Sequence, residues 1–569
     1  MSTAAGSGGG HRPGQAGWRR AGWDQAGWQQ AGWPGPLSAA VARLCEELRP
    51  GLGRRSADGL PDVLRRLAAP LQVAVAGRLK SGKSTLVNAL IGRRVAPTDA
   101  GECTRLVTRF QYGTVDRVEV VFDGGGRRAL PFDAAGRIPA DLGLGADLAR
   151  VSHLEAYLTS AVLRGLTVID TPGLGATDAG GVARTEALLG TSVPASGGLD
   201  GLDGLDPVSR SAVAGAEAVL YVVTQAVRAG DREVLAAFTA ATAGRAAGPV
   251  NAVAVLNKVD TVPPESVRDA GGAVAGDVWT AARILAAGQA RTLGPRVAAV
   301  LPVIGLLAET AESGAFSAAD ADALRALAGC DEATRTAMLL STDLFTAMAA
   351  PVPAATRARL LDLLDLHGVR VALAAIDADQ RVSAGELRRR LLDASGLGEL
   401  RTTLDSVFRA RADGIKAAAA LASVTALADA SGDPGERQRV HDAIEVLLQR
   451  PEAHQLRLLE ALTLVASGAV VLPADLAGEV LRVGGCAEVA ERLGLPGRPP
   501  AELAGYALER AGWWRSFASF GATPAQGRVA HVVHRAYFLI WQRLRDEAAQ
   551  AARQAPREAT RQVTQQEPR

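Results

Sequence analysis

Short apolar runs alternate with longer amphipathic stretches through the first half of the chain, whereas the second half is amphipathic at helical spacing almost throughout. Residues 73–76, 166–169, 218–223, 252–256 and 297–303 read as buried strands, each closing on a polar or glycine-bearing turn. Two further runs, 105–112 and 118–122, flank Gly113 and Asp116 and read as a hairpin. A helix is predicted from Ser84 onward, with Leu86, Val87, Leu90 and Ile91 on one face and Gly92 as its stop, and another over 232–238. Strands alternating with helices predict an open, mostly parallel α/β sheet. Two short amphipathic helices, 37–49 and 61–70, precede it, with Val41, Leu44 and Leu48 on one stripe. From about 315 to 550 runs such as Leu360, Leu361, Leu363, Leu364 and Leu366 predict an extended all-α bundle. Its helices are punctuated near His367 and Gly368, at 431–434, at Pro451 and at 494–500.

The pattern divides the chain into a repeat tail (1–36), N-terminal helices (37–70), an α/β domain (71–312), a helical bundle (313–549) and a polar tail (550–569). In the first segment an Ala-Gly-Trp unit recurs every five residues, at Trp18, Trp23, Trp28 and Trp33. That period fits neither helix nor strand, so disorder is expected there. Residues 175–207 are rich in glycine, repeat Gly-Leu-Asp, and read as a mobile insertion.

Composition narrows the function classes. A net charge of +2 gives no global field for nucleic acid. Four separated cysteines and seven scattered histidines offer no zinc spacing and suit a reducing cytoplasm. No apolar run approaches the roughly 20 residues that span a bilayer, and the N-terminus lacks a signal core. Of 62 basic residues only Lys80, Lys83, Lys258 and Lys416 are lysines. Three of the four fall in the motifs below, where a flexible point charge suits phosphate or base better than a guanidinium fork.

The chemistry begins at Gly77-x-x-x-x-Gly82-Lys83-Ser84, between an expected strand and an expected helix. In that context the glycines let successive N–H groups, including those of Ser81 and Thr85, converge on phosphates. Lys83 supplies charge to the same oxygens and the Ser84 hydroxyl suits a Mg²⁺ ion. A second strand delivers Asp170 to its carboxyl end before Thr-Pro-Gly173, so the carboxylate would hold Mg²⁺ through water and the Gly173 N–H would face the γ-phosphate. A third ends in Asn257-Lys258-Val259-Asp260. There Asp260 can accept both N1–H and the exocyclic amine of guanine, Lys258 can cover the base, and Asn257 can tie neighbouring loops. The backbone N–H groups of Ile304 and Gly305 are further candidates for the guanine carbonyl. GTP and GDP are the expected ligands.

The run Gly-x-x-x-Ser-Gly-Lys-Ser-Thr-Leu-x-Asn-Ala-Leu-x-Gly from Gly77, then Ala96-Pro-Thr, Cys103-Thr104 and Gln111-Tyr-Gly, resembles the bacterial dynamin-like GTPases. The actinobacterial branch, with the isoniazid-inducible and sporulation dynamins, is the most similar. The resemblance implies a GTP hydrolase that dimerises through its nucleotide face, alone or with a paralogue, and remodels membranes at the inner face of the cell membrane. It implies that helices on both sides of the GTPase domain, here 37–70 and 525–548, pack together. Thr104 matches the switch threonine over Mg²⁺, with Thr98 as a rival. Where eukaryotic dynamins carry glutamine and serine, this chain has Leu79 and Lys80; Lys80 either supplies transition-state charge or simply faces solvent.

For anionic lipid two segments are candidates: residues 462–473, with Val465, Val470, Val471 and Leu472 as a greasy tip, and the cluster Trp513, Trp514, Phe517, Phe520. Buried bundle core is the competing reading of each. A soluble assembly GTPase, or a nucleotide-gated scaffold with little turnover, are the alternatives to a membrane-remodelling enzyme.

Overall fold

The computed structural model describes residues 34–98, 106–139, 141–172, 216–224, 231–232, 235, 251–293, 296–409, 411–466, 469–486 and 488–564. The tryptophan repeat, Thr104, Gly173, the insertion at 175–207 and most of 232–238 lie outside the described residues. Among the described residues the strands are β1 (Leu71–Gly77), β2 (Thr108–Tyr112), β3 (Arg117–Phe122), β4 (Arg127–Leu130), β5 (Val151–Leu158), β6 (Leu166–Asp170), β7 (Ala218–Thr224), β8 (Ala252–Asn257) and β9 (Ala299–Val303). They form one sheet in the order β4-β3-β5-β2-β6-β1-β7-β8-β9. The half from β6 to β9 is parallel, and β2 runs antiparallel to β6.

The expected hairpin between β2 and β3 does not form. β5 inserts between them, parallel to β2 and antiparallel to β3. The pattern hides β5 because its buried positions include His153 and Glu155. Tyr157 Oη donates to Glu155 at 2.6 Å and Arg127 at 2.7 Å, so the carboxylate is satisfied inside the sheet although it reads as a loop residue.

Alternate residues of the central strands feed two cores. Ala74, Val219, Tyr221 and Ala254 face one side; Val73, Val75, Leu220 and Val255 face the other. Among the described residues the α-helices of eight residues or more are α1 (Pro36–Leu48), α2 (Arg54–Ala68), α3 (Lys83–Ile91), α4 (Val278–Leu293), α5 (Gly305–Glu312), α6 (Ala318–Ala328), α7 (Ala354–Ala378), α8 (Ala384–Asp393), α9 (Leu397–Leu404), α10 (Ala412–Ser431), α11 (Pro434–Leu448), α12 (His454–Ala466), α13 (Ala474–Gly485), α14 (Pro500–Phe520) and α15 (Pro524–Thr564). The core does not change over at residue 312. Leu324, Leu364, Leu373 and Leu387 of α6 to α8 share the first sheet core, and Leu397 and Leu400 of α9 share the second. Helix α7 bends at Asp365, whose φ of 51° is left-handed, close to the break expected at His367 and Gly368.

Two separate helical cores follow. Val41, Leu60 and Val63 of α1 and α2 pack with Leu421 and Val424 of α10, and with Val440 of α11. Helices α12 to α15 bury Leu462, Val480, Trp514 and Tyr537 in another. The N-terminal helices therefore share their core with α10 and α11, and not with the 525–548 segment that was expected to join them. Asp413 fixes that packing by accepting from the Leu37 and Ser38 N–H groups at 3.0 and 2.8 Å.

Lys416, the lysine outside the nucleotide motifs, is 1% exposed and donates to the Arg66 carbonyl at 2.7 Å and to Glu217 at 3.0 Å. Glu217 accepts the Gln72 N–H at 2.9 Å. One ammonium thus joins α10, the end of α2 and the entry of β1 and β7, three directions that a flexible stem reaches and a planar fork does not.

Candidate functional site

Buried strand β1 delivers the chain to Gly77, which adopts φ 150°; a Cβ there would collide with the Val222 carbonyl of the neighbouring strand. Gly82, at φ 89°, caps α3, and a Cβ there would meet the Asn257 amide. Both positions need glycine for space and for conformation. The Lys83 ammonium donates to the Gly77 and Arg78 carbonyls at 3.1 and 3.0 Å, which closes the loop on itself. Lys80 sits at φ 61° with an exposed side chain, and Leu79 beside it is 59% exposed.

Ser84 Oγ donates to Asp170 Oδ2 at 2.8 Å. Asp170 Oδ1 is buried and has no hydrogen-bond partner among the described residues. Burial pushes the Asp170 carboxyl up to about 6, against the pull of the Lys83 charge and the Ser84 hydrogen bond. An unpartnered carboxylate oxygen beside a hydroxyl is a donor set that suits a hydrated divalent cation, whose charge would restore the ionised form. Ser84 and Asp170 therefore fit Mg²⁺.

The Asn-Lys-x-Asp end of the site is built from β8 and the loop after β9. Asn257, 2% exposed, donates to the Ser81 carbonyl at 2.9 Å and accepts the Gly305 N–H at 2.9 Å. It ties the phosphate loop to the β9–α5 loop. Lys258 takes a left-handed backbone (φ 60°) and is exposed. Asp260 is half-buried. Burial pushes its carboxyl up to about 6, with nearby Asp365 adding to the shift and Lys258 opposing it. The Ile304 and Gly305 N–H groups are not available for a guanine carbonyl, contrary to expectation. Ile304 donates to the Ser395 carbonyl at 2.8 Å, and Gly305 to Asn257.

Several positioning residues were not read from the sequence as such. Asn88 accepts the Val95 and Ala96 N–H groups at 3.0 and 2.8 Å and donates to Glu309 at 2.8 Å, fastening the start of the segment that leads to Thr98. Asp231 holds Arg78 of the phosphate loop at 3.1 Å and accepts from Tyr221 at 2.8 Å. An asparagine one helical turn past Ser84 was a visible signal; Asp231 gave none, because its partner Tyr221 looks like plain strand core.

The two membrane candidates are placed differently from expectation. Val465, Val470 and Leu472 are buried in the core of α12 to α15, and only Val471 is exposed, at 74%. The segment is apolar because it packs against helices. Of the aromatic cluster Trp514 is core, whereas Phe520 is 93% exposed at the end of α14. Gln526 donates to the Val471 carbonyl at 2.7 Å, so Val471 and Phe520 project from the same end of this bundle.

A phosphate loop, a metal-fitting serine–aspartate pair and an Asn-Lys-x-Asp strand end, on a sheet extended by helices before and after it, define a nucleotide-binding α/β domain of the dynamin class. The sequence model of the Dynamin family matches residues 73–237. The chain belongs to the bacterial dynamin-like GTPase family. It is 33% identical over 461 residues to the isoniazid-induced protein IniC of Mycobacterium tuberculosis, covering 79% of this chain and 85% of that protein. A bacterial dynamin-like protein of Nostoc punctiforme is 31% identical over 135 residues, 21% of this chain and 18% of the other. A solved chain from an oligomerised bacterial dynamin pair, described as sensing and tethering membranes, aligns over 91% of this chain and 78% of its own at 11% identity. Its TM-score is 0.29, too low to compare the arrangement of domains.

Proposed function

We propose that this protein hydrolyses GTP and couples the cycle to movement of its helices at the inner face of the cell membrane. The observation that carries the reading is Asn257, which links the phosphate loop to the base loop beside Asp260. Lys83 and the loop N–H groups bind the β- and γ-phosphates, Ser84 and Asp170 hold Mg²⁺, and Asp260 reads guanine. Mg²⁺, when bound, neutralises charge on the phosphate oxygens. Thr104 would orient the attacking water beside the metal site, and the Gly173 N–H would face the γ-phosphate. The chain works as a nucleotide-dependent homodimer or with a paralogue.

Lys80 bears on turnover. Its exposed position on the phosphate loop suits a charge completed by a facing subunit, while exposed Leu79 cannot orient water. GTP turnover by wild type should rise with protein concentration, and Lys80→Ala should lower the rate about tenfold at the high end while leaving the low end alone. Equal rates across the whole range would leave Lys80 a solvent-facing residue. They would also favour the nucleotide-gated scaffold that Leu79 keeps open.

The membrane side is supported by the exposed pair Phe520 and Val471. From Arg510 through Arg545 the chain carries six arginines, both ends included, and no carboxylate. Arg515 and Arg528, near the tip, are both exposed. An aromatic ring with flanking guanidinium groups suits an anionic bilayer surface. Among the described residues no helix is long and apolar enough to cross a membrane. Phe520→Ser combined with Val471→Ser should lower sedimentation with phosphatidylglycerol vesicles several-fold, because each exposed side chain contributes roughly 1–2 kcal/mol of burial. Undiminished binding would move the contact elsewhere, and absence of binding by wild type would favour a soluble assembly GTPase.

A further inference from the structure

We propose that the turn at Ser395 and Gly396, between α8 and α9 and outside every nucleotide motif, is a positioning element for the guanine site. The inference rests on the guanine reading above. Three hydrogen bonds run in series from the phosphate loop to this turn. Asn257 Nδ2 donates to the Ser81 carbonyl at 2.9 Å, Gly305 N–H donates to Asn257 Oδ1 at 2.9 Å, and the adjacent Ile304 N–H donates to the Ser395 carbonyl at 2.8 Å. The β9–α5 loop is thus clamped between a motif asparagine and a helical turn. Both of its leading N–H groups are spent on holding the loop in place.

The turn is itself tightly built. Ser395 is fully buried; its Oγ donates to the Leu392 carbonyl at 2.6 Å and accepts the Leu397 N–H at 3.2 Å. Gly396 has φ 76°, and a Cβ there would lie 2.6 Å from the Pro302 carbonyl and 2.8 Å from the Trp279 ring. Pro302 belongs to β9, just before the base loop. Trp279 stands in the first turn of α4, the helix that follows Asp260. The glycine therefore packs against the strand that leads into the base loop and against the first turn of α4. Leu397 and Leu400, each fully buried under the sheet, keep the turn from drifting.

A methyl group at Gly396 must displace a backbone carbonyl or an aromatic ring, and either displacement moves the base loop. Ser395→Ala loosens the same turn without adding bulk. Because Ser395 holds the base loop directly and reaches the phosphate loop only through Asn257, both changes should act chiefly on base affinity. By linkage, a shift of α8 and α9 would alter guanine affinity, and guanine would bias those helices by the same factor.

The test uses the full chain, with N-methylanthraniloyl GDP as the probe and inorganic tripolyphosphate as its competitor. Gly396→Ala should weaken the labelled GDP about tenfold, equivalent to about 1.4 kcal/mol. It should raise KM for GTP in parallel, keep kcat within about twofold, and leave the tripolyphosphate constant unchanged. Ser395→Ala should move the same constants in the same direction, about threefold. Wild-type affinity in both variants overturns the proposal, and so does an equal loss for tripolyphosphate, which would mark general damage to the domain. If wild-type protein fails to prefer GDP over ADP, the underlying guanine reading falls, and that result is visible before any variant is made.

Discussion

Lys83→Ala is expected to cut GTP turnover by about 10²–10³-fold, the usual cost of deleting one preorganised charge from a phosphoryl-transfer site. Lys83 is 7% exposed and its ammonium is held by the Gly77 and Arg78 carbonyls, so its position is defined before any phosphate arrives. The loop's shape does not depend on it alone: Gly77 and Gly82 supply the turn, and Asn257 anchors the Ser81 carbonyl. The variant should therefore keep its fold and lose its chemistry. Lys83→Arg should fail nearly as completely, since a planar guanidinium needs more width than the closed loop leaves. Phosphate release under single-turnover conditions is the measurement; a rate within threefold of wild type would remove Lys83 from the mechanism.

Asp260→Asn is expected to weaken GTP and GDP by at least about 10²-fold, because an amide NH₂ then opposes the donor face of guanine. Xanthine carries a carbonyl where guanine has its exocyclic amine, so the same variant should gain affinity for xanthosine diphosphate. That reciprocal change separates a base-reading role from a merely structural one. The pH dependence follows from the same carboxyl. Burial and Asp365 raise it to about 6, with Lys258 acting against them. Below that pH it is protonated and loses the acceptor guanine requires. GDP affinity of wild type should fall by up to tenfold per unit as pH drops from 6 to 5, and be flatter above 7. Asp170 titrates in the same range but is present in both proteins, so the difference between wild type and Asp260→Asn isolates the base-side group. Parallel pH profiles would exclude Asp260 as the titrating contact.

The residues proposed to face ligand were legible because each is tied to a local pattern: a glycine-rich turn after a buried strand, or a carboxylate at a strand's end. The residues that hold those loops were less so. Asn88, Asp231 and Ser395 act through partners between 8 and 153 residues away, as in the Ala96, Arg78 and Ile304 bonds, and apart from the place of Asn88 one turn past Ser84 nothing in their immediate neighbours marks them. Strand β5 escaped for a related reason, since His153 and Glu155 are polar yet buried and paired. The apolar stretch around Val470 shows the opposite error. Hydrophobicity alone does not distinguish a side chain facing lipid from one facing another helix, and Val470 faces helices while the isolated aromatic Phe520 faces outward.

By itself, then, the sequence determined the α/β nucleotide domain, the order of its motifs, the helical character of the second half and the family. All of these reside in short-range periodicity or in spacing fixed by backbone geometry. Only the tertiary structure decided that β5 separates β2 from β3, that α6 to α9 belong to the sheet's own cores, and that α1 and α2 pair with α10 and α11. It also decided that the base loop is held by the turn at Ser395 and Gly396. Those outcomes depend on which of many equally apolar faces meet, and that choice is made by buried contacts between distant segments.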